Sequence, residues 1–540
     1  MNDDPAAGHD PAAGSAGPEA ESWLLSPAER DNPATGLDRV QSTAPAWSRG
    51  NLATPLIDGA EYFRRLRAEL ADTAAGDQVY LAAWIGDPQE QLDESGTSVG
   101  SELARALRSG VSVHALFWQP YVDAMEDFVP ENRRFVELLR GLGGAAVLDQ
   151  RVRAVGSHHQ KYVVIRRPQR PGNDVAFLGG IDPFPSRRDD HAHRGDPQVQ
   201  SSIAQVYGPR PSWHDAHLEI RGPAVAEVEH CFRERWRDST NLRRAPYSWR
   251  REKVADGHHA NPALPAPLPP PDRCGPHSVQ LLRTYPKKIP HYPFAPRGER
   301  SVAHAYTKVL RKARRFVYVE DQFLWSPMVA EVFAETLRRE PAMRMVAVVP
   351  SRPDKDGALQ VATSDVAHRK ALDLLRAAGG DRVEVYELEN PAGEPVYVHS
   401  KVCVVDDVWA TVGSANLNRR SWTYDSELTA AVVDGQDSSG ARGFAEDLRL
   451  RLWREHLGRA AGEDADLADP MEGCAVLRRA AADLDDWHSA GQPGPRPPGH
   501  LRAHPRPTTP LRTKAWAVPL GRLLTDPDGR PRRFRQKGRW

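Results

Sequence analysis

The sequence predicts an α/β protein made of two similar halves, and three observations carry that reading. From about Leu56 onward, segments with helical periodicity alternate with short apolar runs, the rhythm of a layered α/β architecture. A His-x-Lys pair occurs twice, as His159/Lys161 and His399/Lys401, with the two histidines 240 residues apart. Each copy leads through a Gly-containing turn to a later helix that ends in Arg and Trp: Ala224–Trp236 in the first half and Phe444–Leu457 in the second. A duplicated half-domain with one site near a pseudo-two-fold axis is the economical explanation.

The elements follow in order. A helix is expected over Ala60–Leu70, a buried strand over Val79–Gly86, a helix over Glu102–Ser109 and a strand over Val111–Trp118. Prolines crowd Asn261–Pro276; because proline fixes φ and removes a donor, this stretch reads as a connector. Beyond it come helices at Val302–Lys312, Met328–Arg339 and Ala358–Ala378, and strands at Phe316–Glu320, Met345–Val349 and Arg382–Tyr386. The chain thus divides into a disordered segment rich in Ala, Gly, Pro and Asp (1–50), a first half (51–245), a Pro-rich connector (246–280), a second half (281–465) and an extension with a basic tail (466–540).

Composition narrows the functional classes. The 540 residues carry 72 basic and 72 acidic side chains, so no global field attracts nucleic acid. The four cysteines are scattered without a CxxC pair, which argues against cysteine-bound zinc and for buried thiols. No apolar run is long enough to span a bilayer, and the acidic start Met1–Pro5 does not read as a secretory leader. The expectation is a cytoplasmic protein with peripheral membrane contact, monomeric because both half-sites lie in one chain.

The chemistry-bearing residues cluster in the two repeats. In an extended segment, side chains two apart share a face, so His399 projects with Lys401 and His159 with Lys161. Two cations on one face make a poor core but a good receptor for phosphate: lysine supplies a point charge, and histidine a nucleophile or proton donor near neutral pH. The turns Gly179-Gly180-Ile181-Asp182 and Gly413-Ser414-Ala415-Asn416 add close backbone approach and neutral donors at Ser414 and Asn416. His191 and His193 among Asp189, Asp190 and Asp196 resemble a ligand set, but nothing in the pattern fixes them. They read as a mobile polar loop, and neither metal nor cofactor is expected.

These residues carry a family resemblance. His399-x-Lys401-x4-Asp406, followed by Gly413-Ser414-x-Asn416, resembles the second signature of the phospholipase D superfamily. His158-His159-Gln160-Lys161, Gly179-Gly180-Ile181-Asp182 and Trp213-His214-Asp215 resemble the first half of its larger members, and Tyr318–Gln322 resembles the strand before the second signature. Matching motifs run from Tyr80 to Trp453, roughly 70% of the chain. The resemblance implies mixed sheets flanked by helices, with the site between the halves. It places His159, Lys161, His399, Lys401 and Asp406 in the catalytic set, His159 as nucleophile and His399 as acid/base. It also implies Ser414 and Asn416 on the phosphate, and Asp215 and Glu427 orienting the histidines. The implied activity is hydrolysis of phosphatidyl-alcohols to phosphatidate through a phosphohistidine, with transfer to a second alcohol as a companion reaction. The implied partner is phospholipid at a membrane surface, not a stable nucleic-acid complex. The alternatives are a phosphodiesterase on a non-lipid diester or a non-catalytic membrane-binding relative. The first motif departs from the family at Arg166, where an aspartate is usual. Arg166 has the opposite strand parity to His159 and Lys161, so it is expected to face away from them, with Asp174 as a local substitute. The tail Arg530–Trp540, with six cations and two aromatics, is a candidate for docking on anionic lipid.

Overall fold

The computed structural model describes residues 22–40, 46–121, 128–199, 203–238, 261–353, 358–435, 442–505, 526–531, 534–535 and 540. Within them, the first half holds β1 (Ser48–Ile57), β2 (Gln78–Ala83), β3 (Ser112–Trp118), β4 (Ala145–Asp149), β5 (Tyr162–Arg166), β6 (Val175–Gly179), β7 (Trp213–His214) and β8 (Ala216–Arg221). The second half begins with β9 (His277–Tyr285), β10 (Glu299–Arg300), β11 (Phe316–Asp321), β12 (Arg344–Val348) and β13 (Val383–Glu389). It continues with β14 (Pro395–Val398), β15 (Lys401–Val405), β16 (Trp409–Gly413), β17 (Glu427–Asp434) and β18 (Leu501–Ala503).

The two sheets repeat one topology. The first runs β4-β3-β2-β5-β6-β8-β1, parallel through β2 and antiparallel beyond. The second runs β13-β12-β11-β15-β16-β17-β9 with the same sense at every step. Both sheets are therefore mixed, as expected. β1 joins them: its later residues pair with β8, and Ser48 and Asn51 pair with Val279 and His277 of β9.

Each sheet is apolar on both faces, which forces a cover on both sides. The outer face of the first sheet packs Val79, Leu81, Val163 and Ile165 against helices Asp58–Ala71, Val99–Arg108 and Val129–Gly141. The outer face of the second packs Val317, Val319, Cys403 and Val405 against helices Ser301–Lys312, Pro327–Arg339 and Ala358–Gly379. Between the sheets, helices Ala224–Trp236 and Phe444–His456 bury Phe232, Trp236, Leu448 and Trp453 in one core shared by both halves.

Four expectations need correction. Residues 22–40 and 46–50 are ordered, not disordered: Leu24 and Leu25 enter the second-half core and Leu37 the shared one. Arg30, fully buried, bonds Asp38 and Glu299 and donates to the Leu281 carbonyl. Averaged composition hid these few anchoring side chains among small and polar residues. Cys274 is exposed, while Cys231, Cys403 and Cys474 are buried as expected. The C-terminal extension is not a separate tail, because β18 adds to the edge of β13 and helix Pro470–Ser489 packs beside it. Its end is not a free basic arm either. Trp540 meets Trp422 with ring centroids 4.8 Å apart, Arg530 is 3% exposed, and Arg300 lies over the Phe534 ring. The remaining basic residues, Arg532, Arg533, Lys537 and Arg539, lie outside the described residues.

Arg166 closes β5 on the face that looks toward the central helices, away from His159 and Lys161. Its guanidinium pairs with Asp174 at 2.7 Å and with Glu229, both buried, and donates to the Pro269 carbonyl. It thereby ties β5 to the central helix and the connector. Removing one member of such a buried set strands the others without a counter-charge. Arg166→Ala is expected to lower unfolding stability by about 3–5 kcal/mol, read by denaturant titration. The rate of the folded fraction should stay within about tenfold of wild type, or roughly 1.4 kcal/mol. Arg166→Asp, which adds a third carboxylate beside Asp174 and Glu229, should cost more stability than Arg166→Ala.

Candidate active site

The two His-x-Lys segments lie in extended links that lead into β5 and β15, and each is held by the opposite half. β14 pairs in parallel with β7, matching Tyr397 to Trp213 and Val398 to His214, and His399 N donates to the His214 carbonyl at 2.8 Å. In the pseudo-symmetric position, His158 bridges Ser426 and His159 N donates to the Ser426 carbonyl at 2.9 Å. Each pairing places the next residue of the partner segment, Asp215 or Glu427, beside the imidazole. His399 Nδ1 lies 2.6 Å from Asp215 Oδ2, and His159 Nδ1 lies 3.0 Å from Glu427 Oε2. A carboxylate on Nδ1 fixes the tautomer with Nε2 unprotonated and available.

Aromatic walls hold the rings. The Trp84 ring centroid is 5.8 Å from that of His159, and Trp213 is 5.0 Å from His399. The side chains of His159 and His399 stay 12% and 7% exposed, while Glu427 and Asp215 are fully buried.

The lysines follow the same plan with different partners. Lys161 Nζ donates to the His159 carbonyl and sits 3.1 Å from Asp182 Oδ2. Lys401 Nζ donates to the His399 carbonyl and, at 3.1 Å, to Gln322 Oε1. Asp182 is itself fixed by the Trp84 and Ile85 amides, and Asp321 by those of Phe323 and Leu417. Arg187 is a further cation: its guanidinium stacks 4.0 Å over Trp213 and contributes to the field at His399.

Burial and like charge set the protonation states. Burial holds both imidazoles well below the usual histidine range, reinforced at His159 by Lys161 and Lys401 and at His399 by Lys401, Arg187 and Lys161. Burial also lowers Lys401. It raises Asp215, and it pushes Glu427 up to about 7 against the hydrogen bond from Ser414. Two neutral imidazoles with Lys161, Lys401 and Arg187 around them describe a receptor for an anion.

Most of the residues singled out from sequence meet here: His159, Lys161, His399, Lys401, Asp215 and Glu427. Asn416 is 2% exposed, and its buried Oδ1 has no hydrogen-bond partner. Two others do not fit. Ser414 donates to Glu427 Oε2 at 2.6 Å and accepts from Leu428 N, so its hydroxyl is spent on the carboxylate and not offered to phosphate. Asp406 lies at the far end of β15 from the histidine. Its carboxylate accepts from the backbone amides of Arg314, Arg315 and Phe316 at 2.8–2.9 Å, closing the entrance to β11. The aspartate of this motif is thus structural, which explains how the first repeat can carry Arg166 in its place.

Sequence reasoning missed Asp182, Gln322 and Arg187 as members of the site. Aligning the two turns would have exposed Asp182, which occupies the slot of Asn416. The same alignment sets Gly180 against Ser414, and the structure gives the reason. A Cβ on Gly180 would come 2.0 Å from Asp215 Oδ1, so the short carboxylate requires glycine, while the longer Glu427 leaves room for a serine that bonds to it. The loop at His191–Asp196, expected to be mobile, is packed. Asp196 accepts from the Ser186 and Arg188 amides, Asp189 accepts from those of Gly195 and Trp213, and His193 is fully buried.

Comparison with known proteins accords with this geometry. The family model described as Phospholipase D matches residues 94–330 and 385–509, and one described as Cardiolipin synthase, PLD-like domain, matches 309–445. Phospholipase D alpha 2 of Oryza sativa subsp. japonica is 24% identical over 83% of this chain and 70% of its own. Phospholipase D alpha 1 of Arabidopsis thaliana is 24% identical over 84% and 71%. Among solved structures, a phosphatidylserine synthase of Haemophilus influenzae Rd KW20 superposes with a TM-score of 0.49 at 14% identity, covering 82% of this chain and 95% of its own. With the Phospholipase D model spanning more than half of its residues, the chain belongs to the phospholipase D family and is a phosphoric diester hydrolase.

Proposed function

We propose that the chain cleaves phosphatidyl-alcohols to phosphatidate by two successive displacements at phosphorus, both within this one site. The observation that carries the reading is the crossed pair of carboxylate-held imidazoles, with Lys161 and Lys401 both acting on each ring. A phosphodiester monoanion repels nucleophiles and has a poor leaving group, so a covalent intermediate divides the barrier.

In the first step, His159 Nε2 attacks phosphorus while His399 Nε2 gives its proton to the departing alkoxide. In the second, neutral His399 takes a proton from water, or from an alcohol, which attacks phosphorus and releases His159. His399 must be protonated for the first step. Burial and the nearby cations oppose this in the free protein, and the arriving anion offsets those cations and restores it. Lys161, Lys401 and the Asn416 amide stabilise the charge that builds on the non-bridging oxygens. Beside Gln322 a cavity of about 410 Å³, lined by Trp325, Ser351, Asp365, His368 and Glu387, offers polar space for the leaving head group.

The deciding experiment incubates purified protein with vesicles of several phospholipid classes and separately with single-stranded DNA, with ethanol present. Phosphatidate and phosphatidylethanol from lipid, with DNA intact, is the expected outcome; DNA cleavage without lipid turnover overturns the lipid reading. His159→Ala and His399→Ala should each leave less than a few per cent of the activity. Acid quenching followed by peptide mapping should place the phosphoryl group on His159, and recovery on His399 reverses the two roles. Lys401→Ala should raise the barrier by about 2–4 kcal/mol.

The pH profile gives a second check. Protonating Glu427 removes the charge that supports the His159 Nδ1–H, so kcat/KM should fall as pH drops below about 7. On the alkaline side, buried Lys401 loses its proton below the usual lysine range, and activity falls there too. Glu427→Gln should lower the rate and shift the acid limb to lower pH. An acid limb unmoved in this variant assigns it to another group.

A further inference from the structure

Behind Asp215, a buried set of side chains takes no part in the reaction derived above. Asp58 opens helix Asp58–Ala71, His193 comes from the packed loop, His214 from β7 and Glu455 from helix Phe444–His456. One ligand-type atom from each lies within 4.8 Å of all the others. His214 Nδ1 is 3.1 Å from Asp58 Oδ1 and 2.9 Å from Glu455 Oε1, and His193 Nε2 is 3.5 Å from the same Glu455 oxygen.

From these residues we infer a structural site for a divalent, zinc-like cation, bound by Asp58, His193, His214 and Glu455.

Four arguments support it. The separations are those of co-ligands, since tetrahedral ligands at about 2.0–2.1 Å from zinc lie about 3.3 Å from one another. Two carboxylate oxygens converge on one imidazole nitrogen, which as a donor has a single proton and can serve only one of them. Hydrogen-bond geometry is met only toward Asp58, although Glu455 Oε1 is nearer. Buried polar atoms of the cluster also lack hydrogen-bond partners: Asp58 Oδ2, Glu455 Oε1 and the His193 Nε2 that faces it. Leaving such atoms unsatisfied in a core is costly, and a cation satisfies them together.

The outer contacts complete the arrangement. With Nδ1 of His214 on the metal, Nε2 carries the proton, and Nε2 lies 2.9 Å from Glu320 Oε2. That is the carboxylate–histidine–metal relay that orients metal-bound imidazoles. Glu320 is held in turn by His456 Nε2 at 2.8 Å and by the Tyr318 hydroxyl. Two carboxylates with two neutral imidazoles also balance a dication. Four protein ligands leave no open position, the mark of a structural rather than catalytic site. Such a metal would fasten the helix of Asp58 to the strand of His214, and Asp58 exchanges backbone bonds with the residue that orients His399: Asp58 N donates to the Asp215 carbonyl at 2.8 Å, and Asp215 N donates to Asp58 Oδ1.

The test reads metal, not turnover, so its outcome is independent of the lipid reading. The full chain, produced in zinc-supplemented medium and dialysed, is analysed for metals by plasma mass spectrometry. About one zinc per chain is expected, because a buried site of this kind is filled on folding. Chain refolded with cobalt(II) should show the intense visible absorption of tetrahedral cobalt. His193→Gln and Glu455→Gln should lose the metal while keeping the wild-type circular dichroism. Should these variants not fold, the wild-type stoichiometry and cobalt spectrum decide alone. A folded wild-type chain that holds no divalent transition metal, even after refolding with excess zinc, overturns the proposal and leaves an ion-paired histidine–carboxylate cluster.

Discussion

The structure depends on an exchange: each histidine of the site is fixed by a carboxylate that the other half supplies. The exchange is made first in the backbone, through His399 N to His214 O and His159 N to Ser426 O, and then in the side chains, through Asp215 and Glu427. Neither half could orient its own imidazole. The shared core around helices Ala224–Trp236 and Phe444–His456, and the bridging of both sheets by β1, hold the two contributions at a constant separation. Catalysis that needs reacting atoms placed to a fraction of an ångström requires such rigidity.

The same burial that fixes the geometry sets the electrostatics. An imidazole in water would be partly protonated at neutral pH, whereas here burial and neighbouring cations hold both rings neutral, one of them suited to attack. The carboxylates are raised for the same reason and tolerate their position through fixed donors. Asp215 accepts from Ala216 N, and Glu427 from Ser414.

Much of this was legible in the sequence because it repeats. Periodicity located the expected strands to within about three residues at each end, and duplication of His-x-Lys raised a weak local pattern to a strong one. What stayed hidden depends on contacts between distant segments. Leu24, Leu25 and Arg30 look like members of a polar leader until the core that receives them is known. His193 reads as loop because its partners, Asp58 and Glu455, lie far away in sequence. Ser414 was misjudged for a related reason: a serine in a phosphate-facing turn is a plausible donor, and only the position of Glu427 shows where its proton goes. Asp406 was carried into the catalytic set by adjacency in the motif, although it lies just past the far end of the five-residue strand that Lys401 opens.

The differences between the repeats bear on how the two half-sites divide their labour. At the turn, Gly180 faces Asp215 where Ser414 faces Glu427, and Asp182 stands where Asn416 does. Lys161 consequently meets a carboxylate directly, while Lys401 rests on neutral acceptors, the Gln322 amide and the His399 carbonyl. Lys401 and Arg187 both contribute to the field at His399, as Lys161 and Lys401 do at His159. The cationic surround opposes a proton on either imidazole. The two half-sites thus differ in what fixes each lysine and each turn, in a site whose backbone is nearly symmetric.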